Sequence, residues 1–127
     1  VQEGTRMTNH KILICDDEEG IRESLKVILG DHYNLILVDS GDMALEILAH
    51  SKEVQLILLD IKMPKTHGLD ILQEIKKKYP HLKIIMVTGY KSVETAAEAT
   101  RLGACGYIVK PFKSEEILET VKKNLIA

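Results

Sequence analysis

The sequence predicts an α/β fold: one doubly wound domain with a five-stranded parallel sheet and five helices. Three observations carry that expectation. Short apolar runs without polar alternation recur five times from Lys11 onward, as strands covered on both faces require. Longer stretches with helical apolar spacing separate these runs. The two types alternate strictly, so right-handed crossovers give a parallel sheet in the order 2-1-3-4-5. A chain of 127 residues has the size of one domain, and its 45% apolar content can fill one core.

Each element follows in turn. Ile12–Cys15 is the first strand, and Ile21, Leu25, Ile28 and Leu29 follow at i, i+4, i+7 and i+8 as one helical face. Leu35–Val38 is the second strand, and Ala44, Ile47 and Leu48 form a shorter stripe behind it. Leu56–Leu59 is the third, followed by a helix along Leu69, Leu72, Ile75 and Tyr79. Ile84–Val87 is the fourth, and the helix between Ser92 and Leu102 presents a small apolar face of Ala96, Ala97 and Ala99. Tyr107–Val109 is the fifth. The last helix starts at Ser114 with Glu115 and Glu116 and buries Leu118, Val121 and Leu125. Residues 1–10 are polar and aperiodic, and are expected to be disordered or a non-native addition in which Met7 is the natural start. The domain is expected to span 11–127, without repeats or linkers.

Composition excludes several classes of function. Seventeen Lys and Arg against nineteen Asp and Glu leave a net charge of −2, which is no footprint for nucleic acid or an anionic membrane. No apolar run approaches the ~20 residues that cross a bilayer, and no signal-peptide pattern opens the chain, so the expected location is cytoplasmic. Cys15 and Cys105 lack CxxC spacing and are expected to be buried small hydrophobes. The histidines, His67 near the expected site among them, lack metal-ligand spacing.

In an open parallel sheet the site lies beyond the carboxyl ends of the strands. The polar residues there are Asp16 and Asp17 after the first strand, Asp60 after the third, Thr88 and Gly89 after the fourth, and Lys110 after the fifth. Two unit charges 4 Å apart interact by about 4 kcal/mol at an effective dielectric of 20. Three clustered carboxylates therefore take up a proton or bind a cation. Oxygen donors favour Mg²⁺ or Mn²⁺. A carboxylate nucleophile, a hard cation, a lysine and a hydroxyl together suit phosphoryl transfer. Glu18 and Glu19 read as acids favoured by a helix N-terminus, and Tyr107 as an amphipathic core residue.

The segments Ile14-Cys15-Asp16-Asp17-Glu18, Leu59-Asp60-Ile61-Lys62-Met63-Pro64 with Gly68, Val87-Thr88-Gly89-Tyr90, and Gly103-Ala104 through Lys110-Pro111-Phe112 resemble a response-regulator receiver domain of the CheY-like type. The resemblance covers the chain from Lys11 onward, with all its motifs in order. It is nearest to receivers that precede ATP-dependent transcription activators. It implies two-component phosphorelay signalling: Asp60 accepts a phosphoryl group from a sensor histidine kinase or a histidine phosphotransfer protein. It further implies Mg²⁺ held by Asp17, Asp60 and the Lys62 backbone carbonyl, with Asp16 acting through water. Thr88 and Lys110 would take phosphoryl oxygens, Tyr107 would change rotamer with Thr88, and the Lys110–Pro111 peptide would be cis. A downstream output domain or protein would read the change, with no nucleic acid or membrane bound directly. Such a domain promotes its own phosphorylation without being a conventional enzyme.

Loop residues have mechanical reasons: Pro64 fixes a turn, Gly68 relieves the start of the third helix, and Gly89 leaves room beside the backbone. Gly106 stands where many receivers carry an acid, which weakens the expectation of dimerisation through the usual ion pairs of the fourth-helix, fifth-strand and fifth-helix face. Two other functions compete. An aspartate-nucleophile phosphatase acting on an external substrate would want a second Asp at the position of Lys62, and a cap insertion. A phosphorylation-independent interaction module would not need an intact set of Asp16, Asp17, Asp60, Thr88 and Lys110. A flavin-binding domain of the same sheet order would want a Ser/Thr-rich loop where the acids are.

Overall fold

The computed structural model describes residues 10–63, 65 and 67–125. The expectations for residues 1–9 and for the Pro64 turn lie outside the described residues. Strands and helices alternate: β1 (Lys11–Cys15), α1 (Glu19–Leu29), β2 (Asn34–Val38), α2 (Gly41–His50), β3 (Val54–Leu59), α3 (Gly68–Lys78), β4 (Lys83–Thr88), α4 (Val93–Arg101), β5 (Gly106–Val109) and α5 (Ser114–Leu125). The sheet runs β2-β1-β3-β4-β5 with every neighbouring pair parallel, as the alternation predicts.

Successive strand residues face opposite sides, which divides the core in two. Odd-numbered side chains such as Leu13, Ile57 and Leu59 pack with Ala44, Ile71, Leu72 and Ile75 under α2 and α3. Even-numbered side chains of β1 and β3, Ile12, Ile14, Leu56 and Leu58, pack with Leu25, Leu29, Ile117 and Val121 of α1 and α5. Ile84 and Met86 of β4 join the first layer, while Ile85, Val87 and Ile108 join the second. Full burial of one such side chain contributes roughly 1.5–3 kcal/mol.

The expected cover on both faces holds for the central strands and fails at both edges. In β5 only Ile108 is buried. Leu35, Ile36 and Leu37 of β2 are only half-buried, because nothing among the described residues pairs beyond β2. Two helix faces also differ from expectation. Ile117 is fully buried in α5 while Leu118 is half-buried, a rotation of the buried face by one residue. In α4 Ala99 is buried but Ala97 is exposed.

Local chemistry fixes the ends. Ser40, His67 and Ser92 accept from Met43, Leu69 and Thr95 backbone N–H groups and cap α2, α3 and α4. Beyond α4, Gly103 has φ +112°, a backbone conformation that a Cβ disfavours. Among the described residues no helix is long and apolar enough to cross a membrane.

Candidate functional site

The site is built by continuing the strands. Past each strand end the backbone adds one more ladder bond: Asp16 N–H donates to Val38, Asp60 N–H to Cys15 and Lys110 N–H to Thr88 carbonyl oxygens, at 3.1, 3.1 and 2.8 Å. These bonds extend the alternation by one residue. Asp16 follows Ile14, Asp60 follows Leu58 and Lys110 follows Ile108, all on the α1/α5 side. Lys110 Nζ accordingly lies 2.9 Å from Asp16 Oδ2 and 3.1 Å from Asp60 Oδ2. The Lys110–Pro111 peptide is cis.

One oxygen each of Asp16, Asp17 and Asp60 lies within 4.8 Å of the others. Asp16 and Asp60 are buried, at 2% and 4% exposure, whereas Asp17 is exposed. Burial raises the Asp16 carboxyl above its ordinary value, against hydrogen bonds from Lys110 and the Glu18 N–H that favour its charged form. Lys110 feels the same burial, but the hydrogen bonds it donates to Asp16 and Glu18 outweigh it and raise the ammonium above its usual range. Lys110 is thus fixed as a cation among the acids at neutral pH.

Turns aim the remaining donors and acceptors. Asp16 Oδ1 accepts from Glu18 N–H at 2.9 Å, and Asp60 Oδ1 accepts from Lys62 N–H at 3.3 Å. Arg22 donates to the Asp16 carbonyl at 2.8 Å, tying α1 to the same turn. Gly68 is required by close approach: a Cβ there would overlap the Asp60 carbonyl oxygen and Ile61 Cα. The expectation for this glycine therefore has a physical cause. At Gly89 an added Cβ meets nothing within 4 Å, because the position opens onto a cleft of about 680 Å³ lined also by Asp17, Asp60, Lys62 and Tyr90.

Thr88 is fully buried and its hydroxyl accepts from Tyr90 N–H at 3.4 Å. It continues the Ile84–Met86 row, so it shares the α2/α3 face of the sheet with Tyr107, which is paired with Met86. Tyr107 is half-buried and packs against the α2/α3 core, and its hydroxyl donates to the Tyr90 carbonyl at 2.9 Å, as an amphipathic core residue would. His67 stacks on Tyr90 at 6.4 Å between ring centroids.

Sequence reasoning missed one member. Glu18, read as a helix-start acid, makes no side-chain cap, and its Oε1 lies 2.9 Å from Lys110 Nζ. Its partner is 92 residues away, beyond any local signal. Cys105 departs from expectation by being exposed, while Cys15 is buried and its thiol is pushed up to about 12, chiefly by burial.

Residues 12–122 match the model of the response regulator receiver domain. The chain belongs to that family. As a receiver it is a module of two-component phosphorelay signalling and not a conventional enzyme. Response regulator protein FleR of Pseudomonas aeruginosa is 36% identical over 118 residues, covering 91% of this chain and 24% of that protein. Sporulation initiation phosphotransferase F of Bacillus subtilis is 36% identical over 120 residues, covering 94% of this chain and 96% of that protein. The solved CheY-like receiver domain protein from Methanospirillum hungatei superposes with a TM-score of 0.87 at 34% identity, covering 93% and 94% of the two chains. The receiver spans about a quarter of the length of FleR and of several other curated relatives.

The donor set of this receiver fits the acidic metal site typical of the family. Three carboxylates offer converging hard oxygens, one of them exposed and facing the cleft. Such a set suits a small divalent cation.

Proposed function

We propose that Asp60 accepts a phosphoryl group from the phosphohistidine of a sensor histidine kinase or histidine phosphotransfer protein, and that a protein-interaction face then changes. The observation that carries this is Asp60 itself: a 4% exposed carboxylate at the end of a central strand, 3.1 Å from a lysine and opening onto a cleft. One carboxylate oxygen forms the new bond to phosphorus as the phosphorus–nitrogen bond breaks, and the electron pair returns to the imidazole. Asp17, Asp60 and the Lys62 carbonyl would hold Mg²⁺ or Mn²⁺, with Asp16 acting through water. When bound, the cation supplies neutralisation of the anionic donor among the acids.

Lys110 and Thr88 take phosphoryl oxygens, Lys110 as an ammonium already among the acids and Thr88 as a hydroxyl at the end of β4. Thr88 and Tyr107 carry the change outward, since they share one sheet face on adjacent strands. A ligand shifts such an equilibrium only by its differential contacts with the two states, and the charge-assisted pairing of Lys110 with phosphate provides them. The reader of that face is a downstream domain or protein, and the setting is the cytoplasm. The name of the Bacillus subtilis relative, a phosphotransferase, supports the transfer chemistry.

Intact-mass measurement after acetyl phosphate treatment tests the proposal. Wild type should gain one phosphoryl group in Mg²⁺ and none in EDTA, and the adduct should be sensitive to hydroxylamine. An adduct that persists in Asp60→Asn would refute the assignment.

A further inference from the structure

We infer that Glu18 is a positioning residue that competes with the incoming phosphoryl group for Lys110. The inference rests on the reading of Asp60 as phosphoacceptor and extends it to the state before transfer.

An ammonium has three N–H donors and no more. Those of Lys110 face three carboxylate oxygens, on Asp16 at 2.9 Å, Glu18 at 2.9 Å and Asp60 at 3.1 Å. Its donors are therefore all committed, and a phosphoryl oxygen can be received only if one partner lets go. The three partners differ in how easily they do so. Asp16 has a 3% exposed side chain, and its second oxygen is held by the Glu18 N–H. It has no room to leave. Asp60 keeps its lysine contact until the bond to phosphorus forms and takes away the carboxylate's charge, so it frees no donor before transfer. Glu18 has a 61% exposed side chain, and water replaces its lysine contact as it swings out.

Glu18 also lines the cleft that a donor must enter. The carboxylate therefore spans from the β1–α1 turn to the β5–α5 loop, over the approach to Asp60. Its departure frees one lysine donor for the incoming phosphoryl group. The resting receiver is held in its unphosphorylated arrangement by this contact.

The test compares initial rates of phosphorylation by acetyl phosphate in Mg²⁺, in which Asp60 gains the phosphoryl group and acetate leaves. Glu18→Gln should react about two- to fivefold faster than wild type, the range of an exposed ion pair. Glu19→Gln removes the same charge from the neighbouring exposed position, which is outside the Lys110 ion pairs, and should leave the rate unchanged. With Lys110→Ala as background, Glu18→Gln should change neither the rate nor the affinity for beryllofluoride, a phosphoryl mimic. Equal rates for wild type and Glu18→Gln overturn the inference. So does an equal acceleration by Glu19→Gln, or one that survives without Lys110, since either makes the effect bulk charge. A wild-type chain that takes no phosphoryl group, or an adduct retained in Asp60→Asn, overturns the Asp60 reading instead.

Discussion

The layer of α1 and α5 and the helix α4 lie at opposite extremes of packing. Leu25, Leu29, Ile117 and Val121 are at most 1% exposed and lock α1 and α5 onto the even-numbered side chains of β1, β3 and β5 and the odd-numbered ones of β4. Helix α4 has nine residues, buries only Ala99 and leaves Val93 82% exposed. Its charged contact, Arg101 with Glu98, lies within the helix itself and in solvent. The acid rim therefore stands on the rigid layer, while Thr88 at the end of β4 and the Tyr90 loop after it lead into the helix that costs least to move. Small buried area and few anchoring side chains are the physical content of local mobility. On the function proposed for Asp60, a charge change there would leave its own foundation in place and be read out where packing is weakest.

Three measurements sharpen or break this contrast. The largest effect belongs to the rigid layer: Leu25→Ala should lose about 2–5 kcal/mol in denaturant melts, while Val93→Ala should stay within about 0.5 kcal/mol. Similar losses for the two variants would abolish the distinction. Next comes the tie between α3 and the site. Gly68→Ala drives a Cβ into the Asp60 carbonyl, and should cost about 1–3 kcal/mol as overpacking against backbone and disturb the Asp60 amide signal. An unshifted amide would detach α3 from the rim.

The third measurement concerns the two thiols. At pH 8 an alkylating reagent should label exposed Cys105 and spare Cys15 until the chain unfolds. The sign of the pH dependence follows from the Cys15 thiol, which ionises near 9.0 when unfolded and at about 12 when folded. The folded state keeps its proton longer, so this contribution is intact below pH 9 and is lost as pH rises toward 12. The slope should be about 1.4 kcal/mol per pH unit, and Cys15→Ala should lack it in alkaline melts.

Much of this molecule is legible in one dimension because its strands are buried on both sides and its site lies at their ends. Unbroken apolar runs located β1, β3 and β4 to within two residues, and the first polar residue after a run was by construction of the fold a rim residue. Asp16, Asp60, Thr88 and Lys110 were legible for that reason. What escaped depends on rotation or distance. Ile117 replaces Leu118 because helix α5 is turned by one residue against the sheet, which a short apolar stripe does not specify. Ala97 is exposed because alanines do not distinguish one side of a helix from the other. Cys105 follows the α4 turn, and its N–H bonds to the Ile84 carbonyl while its side chain faces out. Glu18 meets its partner only after five strands have been laid side by side.

The alternation that carries Asp16, Asp60 and Lys110 to one side of the sheet has an evolutionary corollary. Side-chain direction on a strand has a period of two, so losing or gaining one residue within β1 or β3 turns everything after it to the other face. Exchanging Ile14 for Val keeps the acid in place; deleting Ile14 would send Asp16 toward α2 and α3, away from Lys110. Exchanges of one apolar residue for another within these strands therefore keep the rim intact, whereas a change of strand length takes the acids off it. Insertions would disturb the rim least in the loops at the opposite, amino-terminal end of the sheet, such as the stretch between Tyr79 and Lys83.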